Sequence, residues 1–283
     1  MLHLPAWFFY TMAGLLGAAV GSFLNVVIWR LPRNQSIVRP RSRCPQCNAL
    51  IRWYDNIPLI SFILLRARCR NCQKPISWRY PLVEGLSAVL ALGLMWRFGP
   101  SKEFIVHYIF SAALIAVTFI DIDFRIIPNE ITLGGAPLAF GCSFLWPGFW
   151  KHSLIGFLIG GVSLFVIGEI YTRLRHREGM GMGDVKLLGL LGAWLGWQCL
   201  PFVLLFASLQ GVAGAIVLWL SGVKLAPPLP EEDEEETEPA TPAEEEEPRF
   251  LLSAIPFGPF LSLAAVEYLF LGPWFYSWLR GGL

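Results

Sequence analysis

Residues 103–121 read EFIVHYIFSAALIAVTFID, an apolar stretch opened by Glu103, closed by Asp121 and interrupted only by His107 and Tyr108 among titratable side chains. The hydrocarbon core of a bilayer is about 30 Å thick and takes roughly 20 mostly apolar residues to cross as a helix. The stretch therefore reads as a transmembrane helix that ends on a carboxylate. Similar runs lie near 6–28, 82–98, 131–147, 152–172, 185–198, 200–221 and 251–272. The composition agrees: 55% of the 283 residues are apolar and 15% charged, against about 25% charged in a soluble domain. The expected fold is an all-α polytopic membrane protein with about eight transmembrane helices. Seven result if the short, glycine-rich run GLLGAWLG (189–196) fuses with its neighbour. The first run lacks a basic segment before it and is long enough to span, so it does not read as a cleavable signal peptide. No internal repeat is visible.

The formal net charge of +1 conceals segregation. Eleven of the 22 basic residues fall between Arg30 and Arg79, and eleven of the 21 acids between Glu231 and Glu247. Lys and Arg in short loops face the cytoplasm, which places the first loop inside and the N-terminus outside. Threading onward puts 122–130 and 173–184 inside, and 99–102 and 148–151 outside. The segment Pro227–Pro248, PPLPEEDEEETEPATPAEEEEP, repels itself and lacks apolar side chains to bury, so it reads as a disordered cytoplasmic linker.

Acids near membrane depth are costly and mark function by default. Asp121 closes the third run, and Asp184 follows Gly179-Met180-Gly181-Met182-Gly183 at the start of the sixth. The charge rule brings both to the same membrane face. Two carboxylates a few ångströms apart do not ionise together readily and share a proton. The ionised one can activate water while the protonated one polarises an amide carbonyl. Other readings stand beside this one. Asp184 fits an N-cap, Asp121 fits an interfacial pair with Arg125, and intramembrane acids equally line ion pathways. Asp123, two residues on, points elsewhere on a helix. Glu84 and Glu169 read as interhelical or snorkelling groups, and Glu267 lies deeper.

Cys44-Pro45-Gln46-Cys47 and Cys69-Arg70-Asn71-Cys72 form two C-x-x-C pairs in the basic loop. Four thiolates at that spacing suit a closed, structural zinc site, with the metal supplying folding energy to a loop too short for a core of its own. Redox thiols or disulfides are the alternative, disfavoured in a reducing cytosol. Cys142 and Cys199 lie in apolar runs and read as small buried side chains.

Several blocks, in order, resemble the bacterial type IV prepilin peptidases. They are Gly21-Ser22-Phe23-Leu24-Asn25-Val26-Val27-Ile28-Trp29-Arg30-Leu31-Pro32, the two cysteine pairs, Trp53-Tyr54-Asp55-Asn56-Ile57-Pro58, and Arg79-Tyr80-Pro81-Leu82-Val83-Glu84. Asp121 to Pro128, Gly181-Met182-Gly183-Asp184-Val185-Lys186-Leu187 and Ile255-Pro256-Phe257-Gly258-Pro259-Phe260 follow. The resemblance implies an aspartic endopeptidase with Asp121 and Asp184 as its catalytic carboxylates. It would cut the basic leader from type IV prepilins or type II secretion pseudopilins. It would also N-methylate the new N-terminal residue from S-adenosylmethionine, whose binding residues are not assigned. The family commonly has glycine where Ala67 stands, in a region tied to methylation. The acidic insert exceeds the family pattern.

The domain organisation expected on this basis is a first transmembrane helix at 1–30, a cytoplasmic zinc loop at 31–80 and a transmembrane protease core at 81–222. An acidic loop at 223–249 and a last helix with the C-terminus at 250–283 complete it. The location expected is the bacterial inner membrane with the active site facing the cytoplasm. The partners expected are a prepilin or pseudopilin and membrane lipids, with no nucleic acid. A transporter using the aspartates as a relay is the alternative of another class, and it predicts acids and broken helices at the membrane midplane.

Overall fold

A computed structural model describes residues 5–175, 181–221 and 256–281. Nine α-helices make up the described fold: α1 (Ala6–Arg30), α2 (Ile60–Leu64), α3 (Arg79–Phe98), α4 (Lys102–Phe124), α5 (Asn129–Ser143), α6 (Phe149–Arg175), α7 (Met182–Leu195), α8 (Cys199–Leu220) and α9 (Gly258–Leu279). Among the described residues there is no β-strand; the cysteine loop contains two isolated bridges. Five helices, α1, α3, α4, α6 and α8, are long and apolar enough to cross a bilayer. At 15 and 14 residues, α5 and α7 fall short of the roughly 20 a full crossing takes. Eight helices stand where eight spans are expected, yet length and composition establish only five as spanning.

Local chemistry sets the ends. Ser101 caps α4 by accepting a hydrogen bond from the Phe104 amide, and Arg125, left-handed at φ 55°, closes its other end with an N–H bond to the Asp121 carbonyl. Pro128 then bars continuation and α5 starts at Asn129. Gly99 and Gly196, at φ 64° and 84°, terminate α3 and α7. The last helix begins at Gly258, seven residues beyond the expected start of its run, with Pro259 in its first turn. The expected acidic linker at 227–248 lies outside the described residues.

Lipid tails give no hydrophobic drive between helices, so small residues that let backbones approach carry the packing. Gly17 and Gly21 of α1 lie on α3: a Cβ on either would stand 2.6 Å from the Cα of Ala88 or Glu84. Gly156 and Gly160 of α6 meet Gly192 and Leu188 of α7 in the same manner. A core containing Phe110, Leu114, Val117, Leu187, Leu191 and Leu261 joins α4, α7 and α9, with Phe110 stacked on Trp194 at 5.1 Å. Around it, α4 also packs on α1 and α3, α5 on α6 and α7, and α8 on α9. Cys199 is buried and Cys142 half-buried, both as free thiols.

Candidate active site and metal centre

The C-terminal turn of α4 and the first turns of α7 and α9 meet at one end of the bundle. Asp121, buried at 5% exposure, is in the last turn of α4, and its Oδ2 has no hydrogen-bond partner among the described residues. The first residue of α9 lies against it: a Cβ on Gly258 would stand 2.5 Å from that Oδ2 and 3.1 Å from Ile127 Cδ1. Ile127 in turn faces α7, where a Cβ on Gly183 would be 3.1 Å from Ile127 Cβ. Asp184 follows Gly183, half-buried, and its carboxylate feels the charge of Asp121. The structure thus brings the two sequence-selected aspartates together, with Ile127 between the segments that carry them. Helix N-termini concentrate partial positive charge, and two of them adjoin the two carboxylates.

The competing roles fit less well. The N-cap of α7 is Gly181, with no side-chain cap, so Asp184 is not the capping residue. Asp121 feels the charge of Arg125, four residues on, an interaction compatible with its meeting Asp184. Asp123 points away, as its position predicts, and forms an ion pair with Arg79 at the start of α3. Lys186 donates to Asn129 Oδ1 at 2.9 Å and ties α7 to α5 beside the site. Glu169 pairs along its own helix with Arg173, and Glu267 accepts a hydrogen bond from Gln210 of α8. Glu84 accepts one from the Leu59 amide, joining α3 to the cysteine loop.

The same end of the bundle carries that loop, tied to it through Arg79–Asp123 and Glu84. Cys44, Cys47, Cys69 and Cys72 place their sulfurs within 4.8 Å of one another, with Cys44 Sγ and Cys72 Sγ 3.9 Å apart. Zn–S bonds of 2.3 Å in a tetrahedron require S–S edges of about 3.8 Å, so the four sulfurs suit zinc. The Ala49 amide and the Asn71 side chain hold the Cys47 thiol down to about 6. Despite the Lys74 amide, Cys72 is pushed up to about 11 by desolvation and by the thiols of Cys47, Cys69 and Cys44. Four sulfurs this close do not all ionise without a cation among them.

The loop contains a repeat that the sequence analysis missed. Arg43-Cys44-Pro45-Gln46-Cys47-Asn48-Ala49-Leu50-Ile51 and Arg68-Cys69-Arg70-Asn71-Cys72-Gln73-Lys74-Pro75-Ile76 align at an offset of 25. Each first cysteine donates its amide to the carbonyl five residues on and accepts from the amide four residues on, all at 2.9 Å. Asn48 and Gln73 both adopt left-handed φ, 56° and 57°. Bridges Arg43–Leu50 and Arg68–Pro75 close the two turns identically. Shared Arg, Asn/Gln and Ile around the cysteines were the signal.

Fold and site together define a polytopic helical membrane protein with a carboxylate pair at its helix ends and a four-cysteine metal-binding loop beside it. Residues 15–98 match the profile of the bacterial peptidase A24 N-terminal domain, and residues 108–216 that of the type IV leader peptidase family. The chain belongs to this family. It is 38% identical to a prepilin leader peptidase/N-methyltransferase of Myxococcus xanthus, over 96% of this chain and 93% of the relative. It is 35% identical to a protein of that name from Burkholderia pseudomallei (98% and 90%) and 39% to one from Aeromonas hydrophila (78% and 84%). No solved structure matches.

Proposed function

We propose that this protein removes the leader peptide from type IV prepilins or type II secretion pseudopilins at the cytoplasmic face of the inner membrane, and then N-methylates the exposed N-terminal residue. The family and the names of the relatives support the reaction pair. The observation that carries the mechanism is the meeting of Asp121 and Asp184 where α4 ends and α7 and α9 begin.

Asp121 and Asp184 share one proton. The ionised carboxylate draws a proton from water, which attacks the scissile carbonyl while the protonated one donates a hydrogen bond to the carbonyl oxygen. The tetrahedral intermediate then collapses with C–N cleavage as the proton taken from water passes to the leaving amine. Gly181 leaves backbone open next to Asp184, where an extended peptide can lie. A substrate whose basic leader stays in the cytosol and whose apolar segment enters the bilayer presents its scissile bond at this depth. Cys44, Cys47, Cys69 and Cys72 would hold a structural zinc that folds the loop, and the methyl group would come from S-adenosylmethionine.

Co-expression with a prepilin tests the assignment. Asp121→Asn and Asp184→Asn are expected to slow leader removal by at least about 100-fold, the usual size of a general acid–base contribution, at unchanged protein level. Processing that persists in either variant would overturn the pair. The mass of the mature N-terminus in the same cells reads out methylation.

A further inference from the structure

Between α1, the start of α3 and the cysteine loop lies a cavity of about 1160 Å³. Asn25, Trp29, Asp55, Arg79, Tyr80 and Glu84 are among its lining residues, and its rim is rich in arginine. Two carboxylates reach it. Asp55 is matched by Arg70, whose guanidinium lies 2.7 Å from Oδ1. Glu84 is buried, accepts from the Leu59 amide at 2.8 Å, and has no cation partner among the described residues. A buried carboxylate is normally paired, and Glu84 is the carboxylate on this wall without a cation partner among the described residues. A complementary vacancy sits nearby. Arg79, although paired with Asp123, keeps Nη2 buried with no acceptor. The two residues are five positions apart on α3, a rise of about 7.5 Å. Small-molecule sites run to roughly 300–1,000 Å³, so the space admits a nucleoside-sized ligand together with a peptide end.

We propose that this cavity binds the methyl donor, with Glu84 facing the sulfonium charge and Arg79 the carboxylate of the amino-acid tail. This assignment rests on the methyltransferase reading above. A basic cavity would otherwise repel a ligand of net positive charge, and Glu84 supplies the local negative potential. The Arg79–Asp123 pair joins the cavity wall to α4 two residues from Asp121, so a peptide end freed at the aspartates lies close to the donor.

Calorimetry on the full-length protein in detergent tests this, using S-adenosylmethionine and S-adenosylhomocysteine, which differ at sulfur by a methyl group and a positive charge. Glu84→Gln retains an acceptor for the Leu59 amide. It is expected to weaken S-adenosylmethionine about tenfold, equivalent to ~1.4 kcal/mol, while leaving S-adenosylhomocysteine within about twofold. Arg79→Gln is expected to weaken both ligands together. Equal losses for both ligands in Glu84→Gln, or no loss, would overturn the sulfonium contact while leaving the methyltransferase reading intact. Failure of the native protein to bind either ligand would remove both, without touching the peptidase assignment, which Asp121→Asn probes separately.

Discussion

Gly258 bears no reactive group, yet it decides how Asp121 sits. Its Cα lies against the carboxylate, and a methyl group there would stand 2.5 Å from Oδ2, well inside contact distance. Gly258→Ala is expected to turn the Asp121 side chain and lower leader removal about 100-fold, the usual cost of a 1 Å misplacement, with the helices still formed. Cleavage of a reporter prepilin checks it. Ala67 is a second telling position. At φ 57°, next to Arg66 at φ 51°, it occupies the left-handed region glycine prefers, and the family commonly has glycine there. Ala67→Gly is expected to stabilise the loop by less than about 1 kcal/mol, since relieved strain is partly offset by added freedom in the unfolded chain. Hydrogen exchange of loop amides would show it. Asp121 and Asp184 stand out in the sequence because charge inside or beside an apolar run is expensive. Gly258 and Ile127 do not, since a glycine and an isoleucine in apolar surroundings look like packing until the segments are brought together.

The helices were legible for the same reason: apolar runs of bilayer length have few other uses. Their ends were less so, because α9 starts where Gly258 and Pro259 permit a first turn, not where hydropathy rises. The short α5 and α7 show the limit of counting spans by length. The second half of α7 is buried by protein neighbours almost throughout, whereas α5 leaves Leu133 and Leu138 exposed. The α1–α3 pair rests on Gly17 and Gly21. Gly17→Leu drives a side chain into the Ala88 backbone and is expected to cost about 2 kcal/mol or more, seen as a lower thermal midpoint in detergent. In the loop, Cys44→Ser removes one of the four thiols proposed to hold zinc. It is expected to open residues 31–78 to limited proteolysis and to release zinc, with cleavage falling only as far as the loop's collapse disturbs Arg79 and Glu84. Full zinc content in that variant would argue against a four-thiolate site.

The cysteine loop joins α1 to α3 at the end of the bundle where the carboxylates lie, so one membrane orientation exposes both to the same compartment. The basic loop residues argue for the cytoplasm. Gln35 of the loop is exposed, and so is Lys151 at the start of α6, at the opposite end of the chain's expected threading. In intact cells a membrane-impermeant thiol reagent is expected to label Lys151→Cys from outside and to spare Gln35→Cys, with the parent chain as control. The reverse pattern would invert the orientation.

The two nine-residue cysteine turns, related by an offset of 25, would each supply half of the coordination shell of the proposed zinc. Each turn closes on its own backbone hydrogen bonds, but one turn alone offers two sulfurs, so a closed four-thiolate site would need both. Damage to either strands both, and the site has no partly assembled state to fall back on. Such a joint fails in one step, like an arch that has lost a voussoir, and it takes with it the wall that Glu84 helps to build.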